Sequence, residues 1–154
     1  MIFITLGTQK EPFTRLLDYV EEANTHEKII AQVGHTNYQS NKMEVLNFVS
    51  NEQLTSYIKK ADIVITHGGT GSVLTALKNN KKVIACARLK KFGEHVDDHQ
   101  KELVELFDKK GHLIELDEKT SLDKILANIK NFKPKPYSSN TNTFIKHIIS
   151  EIES

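Results

Sequence analysis

At 154 residues, with 38% apolar and 27% charged side chains, the chain has globular composition and fits a single domain with a core of ordinary size. Its 21 basic residues against 20 acidic ones leave a formal charge of +1, which excludes a broad nucleic-acid footprint and leaves only local basic patches such as Lys90-Lys91. The lone cysteine, Cys86, excludes an internal disulfide and reads as a small core residue of an intracellular protein, and no run approaches the roughly 20 apolar residues of a membrane span.

Residues 1–6 (Met-Ile-Phe-Ile-Thr-Leu) form an apolar strand without the basic flank or length of a signal peptide, and Gly7-Thr8-Gln9 turns after it. Pro12 starts a helix over 12–23, with Phe13, Leu16, Leu17 and Val20 at helical spacing. Residues 28–33 make the second strand, Gly34 ends it, 36–41 is a polar loop and 43–49 is the third strand. Ser50 and Gln53 have capping-box spacing ahead of Leu54, Tyr57 and Ile58, so a helix over 51–60 begins sharply at Ser50. A fourth strand at 62–66 runs through a glycine-rich turn into a helix over 71–79.

The fifth strand, 82–87, ends in Arg88 and is followed by a polar loop with Gly93-Glu94-His95. Val96, Leu103, Val104 and Phe107 mark one face of a helix over about 96–110, with Gly111 as its C-cap. A sixth strand at 112–116 precedes a helix over about 121–130. Lys133-Pro134-Lys135-Pro136 then runs into Ser138-Ser139-Asn140, and Phe144, Ile145, Ile148, Ile149 and Ile152 stripe a terminal helix over about 141–153. Alternating strand and helix predict an α/β fold: a Rossmann-like, mainly parallel six-stranded sheet with helices on both faces. Such sheets bind ligands at the carboxyl ends of their strands, where Gly7-Thr8, Val49-Ser50 and residues 67–72 and 88–99 fall.

Chemistry concentrates in two of these stretches. In His67-Gly68-Gly69-Thr70-Gly71-Ser72, the glycines allow positive φ and close approach of a ligand, while the first amides of the next helix favour an anion such as a phosphate. The competing reading is a tight turn that needs glycine only for packing. Neither the P-loop nor the G-x-G-x-x-G fingerprint is present. His67 faces either the ligand cleft or a core hydrogen bond. Ser72 and Thr75, one turn apart, either reach a phosphate or ribose or cap their own helix. The second stretch is Glu94-His95-Val96-Asp97-Asp98-His99-Gln100. Its histidines have the i, i+4 spacing of zinc ligands, but Val96 stands where a zinc protease carries glutamate. Asp97 and Asp98 complement a helix N-terminus, and Glu94, Asp98, His99 and Gln100 otherwise offer donors and acceptors for sugar hydroxyls.

The two stretches in succession, with the opening Met-Ile-Phe-Ile-Thr-Leu-Gly-Thr, the Pro12 to Leu16 helix start and Ala61-Asp62-Ile63-Val64-Ile65-Thr66, carry a resemblance over nearly the whole chain. The sequence resembles the C-terminal, nucleotide-sugar-binding half of the GT-B glycosyltransferases of family 28. Within that family it is similar to the short bacterial exopolysaccharide subunits and to the split transferase that extends dolichol-linked sugars. The resemblance implies an inverting, metal-independent transfer of a hexose from a UDP-sugar to a lipid-linked saccharide acceptor at the cytoplasmic membrane face. The UDP-sugar is the donor substrate, and neither a further cofactor nor a nucleic acid is implied. Gly68, Gly69, Thr70, Gly71 and Ser72 would cradle the diphosphate, with Gly7 and Thr8 alongside, and the backbone near Val49 would meet uracil. Arg88 and the stretch from Glu94 to Gln100 would line the donor sugar and ribose, which makes His67, Arg88, Glu94 and His99 the candidate catalytic residues. Larger relatives hold the ribose with a glutamate where this chain has Thr75, so Asp98 or Gln100 would substitute.

A complete GT-B enzyme has two such domains, so the resemblance also implies a small membrane-anchored subunit that binds the acceptor. The terminal apolar stripe either docks on that subunit or packs on its own sheet. Two other functions stand beside the transferase. One is a catalytically silent UDP-sugar-binding subunit that activates its membrane partner, and the other is an epimerase on the same half-fold, which would need a second domain.

Overall fold

The computed structural model describes residues 1–138. Six strands, β1 (Ile2–Thr5), β2 (Ile29–Gln32), β3 (Glu44–Leu46), β4 (Ile63–His67), β5 (Lys82–Cys86) and β6 (Ile114–Glu115), form one sheet in the order β3-β2-β1-β4-β5-β6. Every pairing is parallel, with Ile2 to Thr5 in register against both Ile29 to Gln32 and Ile63 to Thr66. The order reverses between β1 and β4, the place where a doubly wound sheet opens a crevice at its carboxyl edge. This is the Rossmann-like, doubly wound parallel architecture that the alternation of strands and helices predicts.

Both faces of the central strands are buried, which explains why β1 and β4 read as continuous apolar runs rather than alternating ones. On one face Ile2, Ile4, Leu6, Ile65, Ile84 and Cys86 pack with α1 (Thr14–Glu22), through Leu16, Leu17 and Val20, and with α5 (Leu122–Asn128). On the other, Phe3, Val64, Val83 and Ala85 pack with α2 (Asn51–Lys60), α3 (Thr70–Lys78) and α4 (His99–Lys109). The capping box at α2 is present in full: the Ser50 hydroxyl accepts from Gln53 N at 3.1 Å, and Gln53 Oε1 accepts from Ser50 N at 2.9 Å.

The differences from expectation have local causes. The strands expected over 43–49 and 112–116 shrink to Glu44–Leu46 and Ile114–Glu115, because each lies at a sheet edge with a single neighbour. α4 starts at His99 rather than 96, and Val96, expected on its buried face, is 71% exposed in the preceding loop. Gly111, with φ of 82°, lies just past the end of that helix, where its left-handed backbone suits glycine. The terminal helix expected over about 141–153 lies outside the described residues. No helix among the described residues is long and apolar enough to cross a membrane.

Candidate functional site

The carboxyl ends of β1 and β4 open into two adjoining cavities that share Gln9, Gly69 and Gly71. The larger, about 390 Å³, lies on the β2 and α2 side and is lined by Gly7, Thr8, Val49, Ser72 and Thr75 among others. The smaller, about 270 Å³, is lined by Thr70, His95, Asp97, His99 and Gln100 as well as the shared residues. Both meet the start of α3. Val73 makes the first backbone bond of that helix, to Gly69 O at 3.1 Å, so the amides of Thr70, Gly71 and Ser72 precede it and no side chain caps them. The Thr70 hydroxyl beside them is buried without a partner among the described residues, as is Gln9 Oε1. Buried polar groups are nearly always paired in a folded protein, and this orphan hydroxyl belongs to a residue that lines the smaller cavity at a helix N-terminus, a place that suits an anionic ligand.

His67 ends β4 and stands between these parts at 5% exposure. A Cβ on Gly7 would lie 2.5 Å from His67 Nε2, and one on Gly69 would lie 2.3 Å from its Cε1. The glycines at these positions therefore make room for the imidazole. At Gly68 a Cβ would meet Gln100 Cβ at 2.9 Å and Val104 at 3.0 Å. None of Gly68, Gly69 and Gly71 has positive φ, so the left-handed backbone that glycine allows is not used in this turn. Gly7 does take that conformation, with φ of 73°. Gly71 alone of the three glycines in the turn has open space where a side chain would be.

Burial, followed by the nearby charges of Arg88 and His95, pushes His67 down to about 3, so the ring is neutral at physiological pH. Ser72 Oγ lies 3.5 Å from its Nε2. The Thr75 hydroxyl donates to Gly71 O at 2.8 Å, the local bond that a threonine near a helix start often makes, while the residue lines the larger cavity.

Arg88 and Glu94, expected to line the donor, are instead built into the framework and line neither cavity. The Arg88 guanidinium, 1% exposed, donates to the carbonyls of Leu6 at 2.7 Å, Glu11 at 2.6 Å and Glu94 at 3.1 Å. Burial lowers its pKa to about 10, which still leaves it charged at neutral pH. The Glu94 carboxylate accepts Arg15 through two bonds of 2.9 and 3.0 Å and Leu89 N at 3.0 Å. Both side chains are turned inward by partners from other parts of the chain, Arg88 by the carbonyls of Leu6 and Glu11 and Glu94 by Arg15 of α1. Asp98 likewise accepts from Lys90 N at 2.9 Å and lines neither cavity, leaving His99, 45% exposed, at the rim of the smaller one.

The structure adds groups that sequence reasoning passed over. Gln32 ends β2, and its amide donates to Gly7 O at 3.2 Å and Asn47 O at 2.9 Å while Thr5 donates to it at 2.6 Å, tying three strand ends together. Its signal was a glutamine closing the apolar run Ile29-Ile30-Ala31. Gln9 sat in a turn whose register against α3 no spacing reveals. Phe48, 53% exposed beside Val49, adds an aromatic wall to the larger cavity. A still larger cavity of about 910 Å³ opens at the opposite, amino edge of the sheet. Its Lys81 and Lys82 already donate to the carbonyls of Lys59 and Ile129, and it holds none of the candidate groups.

Residues 1–152 match the glycosyltransferase family 28 C-terminal domain. Over 108 residues the chain is 32% identical to the UDP-N-acetylglucosamine transferase subunit ALG13 of Candida glabrata, covering 69% of this chain and 52% of that one. Over 125 residues it is 29% identical to the human protein of the same name, covering 73% of this chain and 10% of that one. The chain thus spans about half the length of its Candida glabrata relative. The solution structure of ALG13 superposes with a TM-score of 0.62 at 22% identity, covering 99% and 96% of the two chains. MurG of Acinetobacter baumannii superposes with a TM-score of 0.59 at 16% identity, covering 97% of this chain and 49% of its own. At those identities the two structures speak for the fold.

Proposed function

This chain belongs to the family of glycosyltransferase family 28 C-terminal domains, and from that premise we propose that it is the donor-binding subunit of a UDP-sugar-dependent glycosyltransferase. The observation that carries the reading is the uncapped start of α3, where Thr70, Gly71 and Ser72 line the two cavities and the Thr70 hydroxyl is buried without a partner among the described residues. The diphosphate sits over the amides of Thr70, Gly71 and Ser72. The nucleoside extends into the larger cavity past Val49 and Phe48, and the sugar into the smaller one towards His95, Asp97 and His99.

Transfer is an inverting displacement of a hexose to a lipid-linked saccharide acceptor, in exopolysaccharide or capsule synthesis at the inner face of the membrane. An acceptor hydroxyl forms a bond to the anomeric carbon, the bond from that carbon to the β-phosphate oxygen breaks, and UDP leaves with the electron pair. The amides, the Thr70 hydroxyl and His67 stabilise the charge growing on the diphosphate, which supplies electrostatic catalysis without a metal. Deprotonating the acceptor is not a task for His67, whose ring is held at about 3. The base, the acceptor site and the membrane anchor come from a small partner subunit. The reading is tested by thermal-shift titration of the chain with UDP against GDP, dTDP and ADP. UDP at about 100 times its dissociation constant raises stability by about 2.7 kcal/mol, and no shift with any nucleotide would refute the donor site.

A further inference from the structure

The Gln100 amide can be oriented from its neighbours alone. Its Oε1 accepts from Gly68 N at 3.1 Å and from Arg88 N at 3.1 Å. Both partners are backbone donors, so a flipped amide would set N–H against N–H, and the orientation is fixed. Nε2 must then point the other way, where it meets His67 Nδ1 at 3.4 Å. An amide NH₂ is only a donor, so Nδ1 must be the bare, accepting nitrogen of the ring. In a neutral imidazole the proton is then on Nε2, the nitrogen that lies 3.5 Å from Ser72 Oγ at the wall of the larger cavity. Gln100 is itself 3% exposed and comes from the first turn of α4, one strand away from His67.

We propose that Gln100 is a positioning residue that holds His67 as its Nε2–H tautomer, so that the imidazole presents a fixed hydrogen-bond donor to the anion at the start of α3. The glutamine acts through the histidine rather than on a sugar hydroxyl. The same amide carbonyl joins Gly68, at the head of the glycine turn, to Arg88, at the end of β5, so one side chain sets both the turn and the protonation pattern of its histidine. Burial of the ring, with Arg88 and His95 nearby, keeps it from taking the second proton that would erase the distinction. The consequence for ligand binding rests on the donor-site reading, whereas the tautomer does not.

The full chain, isotope-labelled at its imidazole nitrogens, tests this at neutral pH. Long-range proton–nitrogen correlation spectra separate Nε2–H from Nδ1–H rings, and the His67 signal is identified by its loss in His67→Gln. The wild type gives the Nε2–H pattern. In Gln100→Glu the carboxylate still accepts from the Gly68 and Arg88 amides but also accepts from Nδ1, so the pattern changes to Nδ1–H and UDP binds at least tenfold more weakly. An Nδ1–H wild-type ring overturns the proposal whether or not the variant folds, as does an unchanged Nε2–H pattern in a folded Gln100→Glu. An Nε2–H wild type that switches in Gln100→Glu, but in which UDP neither binds nor moves the His67 signal, upholds the lock and refutes the donor site instead.

Discussion

Gly71 allows a test in which stability and binding move in opposite directions. It is the second residue of α3, its φ is not positive, and a Cβ there meets no atom within 4 Å. Gly71→Ala therefore creates no clash and exchanges a poor helix residue for the best one, a gain of up to about 1 kcal/mol, or about 2–4 °C in a domain of this size. The added methyl stands at the wall common to both cavities, over the amides assigned to the diphosphate. Holding a phosphate away from one such amide forfeits a charge-assisted hydrogen bond of about 1.5–3 kcal/mol, which is about 10- to 150-fold in affinity. Gly71→Val adds further bulk and weakens binding more. Differential scanning fluorimetry of the free chain and titration calorimetry with UDP read the two effects separately. A variant that is more stable yet binds UDP as tightly as the wild type would refute the idea that the start of α3 approaches the ligand. Gly69→Val, an obvious alternative, cannot make the distinction, since its Cβ would lie 2.3 Å from the His67 ring and disturb the fold first.

Two further outcomes follow from the buried groups. His67 has a folded pKa of about 3 against 6.5 when exposed, so between those values the unfolded chain binds the extra proton. The contribution is complete above the unfolded value and is lost as pH falls, with a slope approaching about 1.4 kcal/mol per pH unit. Urea denaturation from neutral pH down towards pH about 4 should show a shallower acid limb for His67→Gln, and parallel limbs would disprove the buried neutral ring. Arg88→Met leaves the carbonyls of Leu6, Glu11 and Glu94 without their donor, at about 1–3 kcal/mol each, and should lower the melting temperature sharply or prevent folding. A melting temperature like that of the wild type, with turnover lost, would return Arg88 to the ligand.

The alternation of strands and helices was legible because each element signals itself locally: Ile63-Val64-Ile65 as a buried strand, Ser50 with Gln53 as a helix start. Which loops meet at the crevice followed from parallel topology alone. What spacing could not supply was direction. Arg88 and Glu94 lie in the expected loop, yet their side chains turn inward, a choice made by Arg15 and by carbonyls far away in sequence. The glycines were legible as a turn, but what they make room for was not. Gly7 and Gly69 yield space to a histidine and Gly68 to a glutamine 32 residues away, neighbours that only tertiary packing creates.

The loop between β5 and α4 is fastened along its length: Glu94 to Leu89 N and Arg15, Asp98 to Lys90 N, and Lys91 to Glu118 at 2.6 Å. A loop that must settle around a ligand subtracts its ordering entropy from the affinity, whereas this one has already lost that freedom when the chain folds. Ligand contacts on this side of the crevice therefore carry little conformational penalty, and the heat-capacity change on binding should reflect the surface of the ligand rather than a segment condensing over it. The rim residues His95, Asp97 and His99 bond mainly among themselves rather than to the strand ends. Under the proposed function, substitutions there alter which sugar is accepted without unsettling the start of α3, which is assigned to the diphosphate.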